Sequence, residues 1–305
     1  MTTSASPSNQ STAGAIGTLQ PYSAALPVGT AIRDVFRCHA SYERATRNGE
    51  PAALLDLHDR NRIVTGAALR SDLPNLPTID MTIRVEGILI PTTGGPNAVW
   101  VRSFESVDVL DENTCAFDKV LPGWIVDPAV VGRAVEVWWQ LSPPFRVLVN
   151  AVFRRASVLE RFLLVPASLD HHHRDDGGTL LHSVHVAEWG LELVAENPRL
   201  AKDILVTSLL LHDCGKVFEY RRGSGGNWVM SEVGRGVGHK MTTLMLLGPA
   251  LGLSPRLTPS DRRQILHVLA ASYAPSYAGF RRPRTAEASI LAAVDRLSAE
   301  TGRRR

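Results

Sequence analysis

Hydrophobic positions along the chain follow two different periods. From about Asp34 to Leu110 they alternate loosely. "DVFRCHASYERA" is closed by the turn residues "RNGE", and "PAALLDLHD" is parted from "RIVTGAAL" by "RN". "IDMTIRVEGILI" follows a proline-rich link, "SDLPNLPT", and a Gly-Gly-Pro turn, "TTGGPN", leads into "AVWVRSFESVDVL". Alternation bounded by turn residues predicts strands. Five strands in so short a stretch, with one longer link before the fourth, predict a small closed barrel of the OB type. From about Pro122 the period becomes helical. Apolar residues three and four apart run through "DPAVVGRAVEVWWQL" and "PPFRVLVNAVFRRASVLERFLL", and further helices are predicted over 178–196, 200–214, 239–251, 260–273 and 284–299. The expected fold class is multidomain α and β: a disordered tail over 1–29, an OB-like domain over 30–112 and an all-α helical bundle over 120–305.

Composition narrows this only a little. A chain of 305 residues, 44% of them hydrophobic, can build two modest cores. A net charge of +3 permits a polyanionic partner without requiring one. The three cysteines, Cys38, Cys115 and Cys214, are far apart and form neither a disulfide framework nor a Cys-x-x-Cys knuckle, so a reducing cytoplasm is the expected location. No apolar run approaches the roughly 18 residues of a membrane span, so no membrane partner is expected. The first residues lack the basic and apolar regions of a secretory signal. Their Ser/Thr/Ala/Pro/Gly content predicts the tail.

Candidate chemistry concentrates in the helical half. "HHHRDDGGTLLHSVH" holds five of the ten histidines, "LLLHDCGKVFEY" sets His212, Asp213 and Lys216 at the end of an oily helix, His239 follows the glycine loop "GRGVG", and Asp295 lies in "SILAAVDRLSAE". Buried imidazoles and carboxylates are costly unless paired. A metal ion held by ligands from several rigid elements would pair them. Taken alone, His182 reads as a core histidine, His171 as part of a solvated turn, Cys214 as packing and Lys216 as a charge at a helix C-terminus. Taken together, His182, His212, Asp213 and Asp295 form a mixed nitrogen and oxygen set that favours manganese, cobalt, iron, nickel or zinc over magnesium or calcium. Gly215 is expected to end the helix and turn the chain sharply, which would bring Lys216 to the ion.

These segments resemble the HD-domain metal-dependent phosphohydrolases, and more closely the YhaM-type 3′-to-5′ exoribonucleases, which join an OB-fold to an HD domain. The runs HH-x3-GG-x3-H, HD-x-GK, GH and P-x-T-x-EA-x-IL-x3-D are carried by residues 172–182, 212–216, 238–239 and 283–295. The resemblance implies Asp213 and Lys216 in catalysis and His182, His212, Asp213, His239 and Asp295 as metal ligands, with manganese foremost. It implies single-stranded nucleic acid as substrate, and it places His172 and His173 at substrate phosphate or metal. One departure stands out. Ser272 and Tyr273 occupy the positions of a His-His pair usual in the family, so one tightly held ion is expected, with a second held weakly.

In the last strand of the barrel, Val99, Val101, Val107 and Val109 are expected on the core face and Trp100, Arg102 and Phe104 on the other. A Trp-Arg-Phe row suits stacked bases and a phosphate, though the same face would also suit packing on the helical domain or on another subunit. Arg282 with Arg281 and Arg284, and the Arg221-Arg222 pair, could line a basic track. A homo-oligomer is expected. The alternatives are a phosphohydrolase of a nucleotide or small phosphoester, and a weakly active nucleic-acid-binding accessory protein of a mobile element. The helical half also resembles the HD region of TraI-type proteins.

Overall fold

A computed structural model describes residues 26–60, 62–93, 95–107, 111–169, 174–271 and 281–301. Most of the expected tail, and with it Val109, His171, His172, His173, Ser272 and Tyr273, lies outside the described residues.

The five strands form as their alternation predicts: β1 (Ala31–Ala45), β2 (Pro51–Asp59), β3 (Arg62–Leu69), β4 (Thr82–Ile90) and β5 (Ala98–Ser106). They close a barrel in the order β1-β2-β3-β5-β4, with β3 and β5 parallel and the other pairs antiparallel, the order of an OB-like barrel. Phe36, Leu55, Leu57, Ile83, Val85, Leu89, Val99 and Val101 fill its interior.

The expected Trp-Arg-Phe row is interrupted. Val101 pairs with Gly87 and Ser103 with Glu86, so Arg102 is an extra residue in β5. A bulge of this kind reverses which alternate residues face inward. Trp100 stands opposite Ile88 on the outer face, whereas Phe104 stands opposite buried Val85 and packs on the barrel core.

The helical half is built from α1 (Pro128–Gln140), α2 (Pro143–Val152), α3 (Ala156–Leu164), α4 (Gly178–Glu196), α5 (Lys202–Leu211), α6 (Lys216–Glu219), α7 (Glu232–Gly236), α8 (His239–Gly252), α9 (Pro259–Ala270) and α10 (Ala286–Thr301). Proline at N1 and a side-chain cap start two of them: Asp127 accepts from Ala129 N ahead of α1, and Thr258 and Asp261 form a reciprocal capping box ahead of α9. The stretch 143–164, read as continuous helical periodicity, divides into α2 and α3. Phe153 caps α2, and Arg155 is extended ahead of α3. Phe153 and Phe162 then meet with ring centroids 4.6 Å apart inside the core, a contact that a straight helix would separate. A short hairpin, β6 (Tyr220–Arg222) with β7 (Trp228–Met230), and α7 were not legible in the pattern.

The segment between barrel and bundle belongs to the helical core: Cys115, Ala116, Phe117 and Val120 are buried there. It is fastened to the barrel by Arg37. The residue is 2% exposed, and its guanidinium donates through Nε to Lys119 O (2.5 Å) and through Nη1 to Asp80 O (3.0 Å) and lies over the Trp124 ring at 5.5 Å. Burial lowers its pKa to about 10 despite the nearby Asp80. Arg60 adds an ion pair to Asp118 at 2.6 Å.

Candidate metal centre

Four helices, α4, α5, α8 and α10, bring the expected residues together. α4 carries His182, and α5 lies against it closely enough that a Cβ on Gly190 would overlap Leu209. α5 ends in Leu209, Leu210 and Leu211, all fully buried, so the residues that follow are held on a rigid, dry base. His212 caps α5, and its Nδ1 donates to Leu209 O at 2.7 Å. The carbonyl can only accept, so in the neutral ring the Nε2 lone pair is left facing the cluster.

The turn after His212 is tight but not left-handed. Gly215 has φ −66° and ψ −17°, an ordinary helical conformation. The expected reason for this glycine is therefore corrected. It serves close approach: a Cβ there would overlap His239 O and Thr243 N. The first turn of α8 grips the backbone here. Gly215 N donates to Thr243 Oγ1 (2.9 Å), Thr243 Oγ1 donates to His212 O (3.1 Å), and Thr242 Oγ1 donates to Gly215 O (3.0 Å). The same packing sets His239, the first residue of α8, beside Asp213.

The donor atoms converge. His182 Nε2 and His212 Nε2 are 3.1 Å apart. Asp295 Oδ1 is 3.2 Å from the first and 3.6 Å from the second, and Asp213 Oδ2 is 3.7 Å and 3.4 Å from the same two atoms. Neighbouring ligands on an ion bound at 2.0–2.2 Å stand roughly 3.0–3.6 Å apart. His182, His212 and Asp213 are buried and could hold a metal ion. Asp295, on α10, closes the cluster from the solvent side, with its side chain 48% exposed. The other oxygen of Asp213, Oδ1, points to His239 Nε2 at 3.5 Å.

Without an ion these groups draw positive charge from elsewhere. Burial would lower the pKa of His212, but Asp213 and Asp295 outweigh it and raise the imidazole to about 9. Burial would raise both carboxyls. Asp213 is instead held well below the usual carboxylate range by His212, Lys216, His239 and His182, and Asp295 by hydrogen bonds from His182 and His212.

Lys216 reaches the site, but its ammonium is committed. Nζ lies 2.7 Å from Asp213 Oδ2 and donates to Ala167 O at 2.5 Å, and the residue is 8% exposed. Two further groups escaped the sequence pattern. Ser298 Oγ lies 3.0 Å from His182 Nδ1, and Glu219 Oε2 lies 2.9 Å from His239 Nδ1. Glu219 is three residues past Lys216 in "HDCGKVFEY", the one signal that could have found it. Cys214 is buried, with its thiol pushed up to about 12, and so is packing as expected. His267 is turned to the segment before α10, where its Nε2 accepts from Arg284 N at 3.1 Å. Arg281, Arg282 and Arg284 are exposed on that segment. Arg222 is paired with Asp176 (2.5 Å) and lies over the Trp228 ring at 4.1 Å.

No protein-family model matches the chain. Among curated proteins it is similar to the 3′-5′ exoribonuclease YhaM of Shouchella clausii strain KSM-K16, 25% identical over 145 residues, which cover 46% of this chain and 44% of that protein. The protein of the same name from Geobacillus sp. strain WCH70 is 26% identical over 144 residues, covering 46% of this chain and 43% of the relative. That from Oceanobacillus iheyensis is 32% identical over 78 residues, covering 26% and 24%. The chain spans less than half the length of these curated relatives.

Proposed function

We propose that the chain is a metal-dependent phosphodiesterase acting on single-stranded nucleic acid, in the manner of a 3′-to-5′ exoribonuclease. The observation that carries this is the convergence of two imidazole Nε2 atoms and two carboxylates on one point. The similarity to proteins named as exoribonucleases supports the choice of substrate.

His182, His212, Asp213 and Asp295 would hold one ion, manganese foremost, because mixed imidazole and carboxylate sets suit it better than magnesium or calcium. Asp213 Oδ1 and His239 would hold a second ion more weakly. A bound divalent ion supplies Lewis acidity toward a phosphoryl oxygen and lowers the pKa of its water. The protein's own groups do the rest. Leu209 O fixes the His212 ring, Lys216 keeps Asp213 ionised and aimed, and half-exposed Asp295 marks the side open to substrate. On the barrel, Trp100 and Arg102 remain on the outer face to stack a base and meet a phosphate. Phe104, on the core side, leaves this set.

The test is purified full-length protein with Mn²⁺ on end-labelled single-stranded RNA, single-stranded DNA and a nucleotide panel. Shortening of RNA from its 3′ end, lost in Asp295→Asn, is the expected result. Hydrolysis of nucleotides alone would point to a small-phosphoester enzyme. Binding without hydrolysis would point to an accessory binding protein.

A further inference from the structure

Resting on the reading that His239 and Asp213 Oδ1 hold a weaker second ion, we infer that Glu219 is the positioning residue of that site. His239 is presented between two carboxylates, with Nδ1 2.9 Å from Glu219 Oε2 and Nε2 3.5 Å from Asp213 Oδ1. A neutral imidazole has one N–H, and the carboxylate of Glu219 can only accept. The nearer contact takes the Nδ1 proton and leaves the Nε2 lone pair facing Asp213. A carboxylate behind a ligand histidine fixes both its tautomer and its ring orientation.

Glu219 is itself held. It is the last residue of α6, is 8% exposed, and accepts Ser231 N on its backbone carbonyl at 2.8 Å. Gly234 lies so close that a Cβ there would overlap the same carbonyl oxygen and come within 3.0 Å of Glu219 Cγ. The β6–β7 hairpin and α7 therefore leave the site at Glu219 and return to it at His239, with their base closed on the Glu219 backbone. The His239 side chain is 34% exposed. Nothing else at Nδ1 is needed to explain why this half-open ring points inward.

The competing role is a plain fastening of α6 to α8, which would affect melting but not ion affinity. Titrating metal-free protein with Mn²⁺ and reading free Mn²⁺ by electron paramagnetic resonance separates the two without any catalysis. Glu219→Ala should weaken the second equivalent about 10- to 100-fold and leave the first nearly unchanged. Glu219→Gln, whose amide oxygen still accepts the Nδ1 proton, should retain most of the affinity. In a His239→Ala background, Glu219→Ala should add nothing, because its effect passes through the imidazole. If Glu219→Ala does not fold, Glu219→Asp replaces it, and the shorter carboxylate should also weaken the second ion. A second-ion affinity equal to wild type, or an additional loss in the His239→Ala background, overturns the role of Glu219 while leaving the first site standing. A wild-type protein that binds no Mn²⁺ overturns the metal reading as well.

Discussion

Asp213 shows how one residue can serve folding and chemistry together. It is 3% exposed, and its Oδ2 meets Lys216 Nζ at 2.7 Å while facing two imidazoles. Breaking a buried pair from one side leaves the other charge uncompensated, at a cost of about 3–5 kcal/mol. Asp213→Ala is therefore expected to lose stability by that order in urea unfolding, and Asp213→Ala with Lys216→Met to recover most of it. An Asp213→Ala variant as stable as wild type would refute the pairing. The consequence is that Asp295→Asn tests the proposed ligand set more cleanly, since the Asp295 side chain is half exposed. Proton linkage gives a second test. In ion-free protein the folded pKa of His212 is raised from 6.5 to about 9. Its contribution to stability is complete below about pH 6.5 and is lost as pH rises through 9. Melting temperatures of chelator-treated protein should fall across that window, and Mn²⁺ should shrink the fall by taking the proton's place. A melting temperature flat from pH 6.5 to 9 without ion would contradict the charge balance described.

At the scale of elements, the contact between the α5–α6 turn and the start of α8 decides whether His239 reaches the site. Gly215 is its tightest point, where a side chain would meet backbone atoms that cannot move aside. Gly215→Ala should either unfold the bundle or displace α8. In a folded variant the loss should appear first in binding of the second Mn²⁺, with the first retained. Unchanged binding of both ions would mean that α8 is not what places His239. The glycine was legible in "HDCGK", but its reason was not. Sequence offers conformational freedom as the usual explanation, and only the neighbouring helix reveals the steric one. The barrel shows the same limit. Its five strands could be read from alternation and turn residues, because burial of one face imposes a period of two. The bulge at Arg102 could not, since an added residue changes the phase without changing the composition, and so Phe104 was expected on the wrong face. The grouping of His182, His212 and Asp213 was legible because charged residues at the end of "LLL" demand a partner. Glu219 and Ser298 were not, because their roles exist only through the histidines they touch.

For the whole molecule, the question is whether barrel and bundle act on one substrate. Two separate cores are joined through Arg37, Lys119 O, Trp124 and the Arg60–Asp118 pair. The cluster that could hold a metal ion lies wholly in the bundle, while Trp100 and exposed Arg102 lie on the barrel. If the barrel only grips, removing its grip should matter in proportion to substrate length. One stacked base contributes about 1–3 kcal/mol, which corresponds to a loss of affinity of roughly 5- to 150-fold. Trp100→Ala with Arg102→Ala should raise KM for a long single strand within that range and leave kcat nearly unchanged, because the lost contacts are equal in ground and transition states. Hydrolysis of a dinucleotide, too short to reach both modules, should be unaffected. The salt dependence of long-strand binding should also become shallower, since one phosphate contact is lost with Arg102. Phe104→Ala is the control. It should lower barrel stability by about 3–5 kcal/mol if Phe104 behaves as a core aromatic, less in so far as it is only partly buried, with no selective effect on long substrates. Equal losses on long and short substrates in the Trp100 and Arg102 variant would show instead that this outer face holds the molecule together.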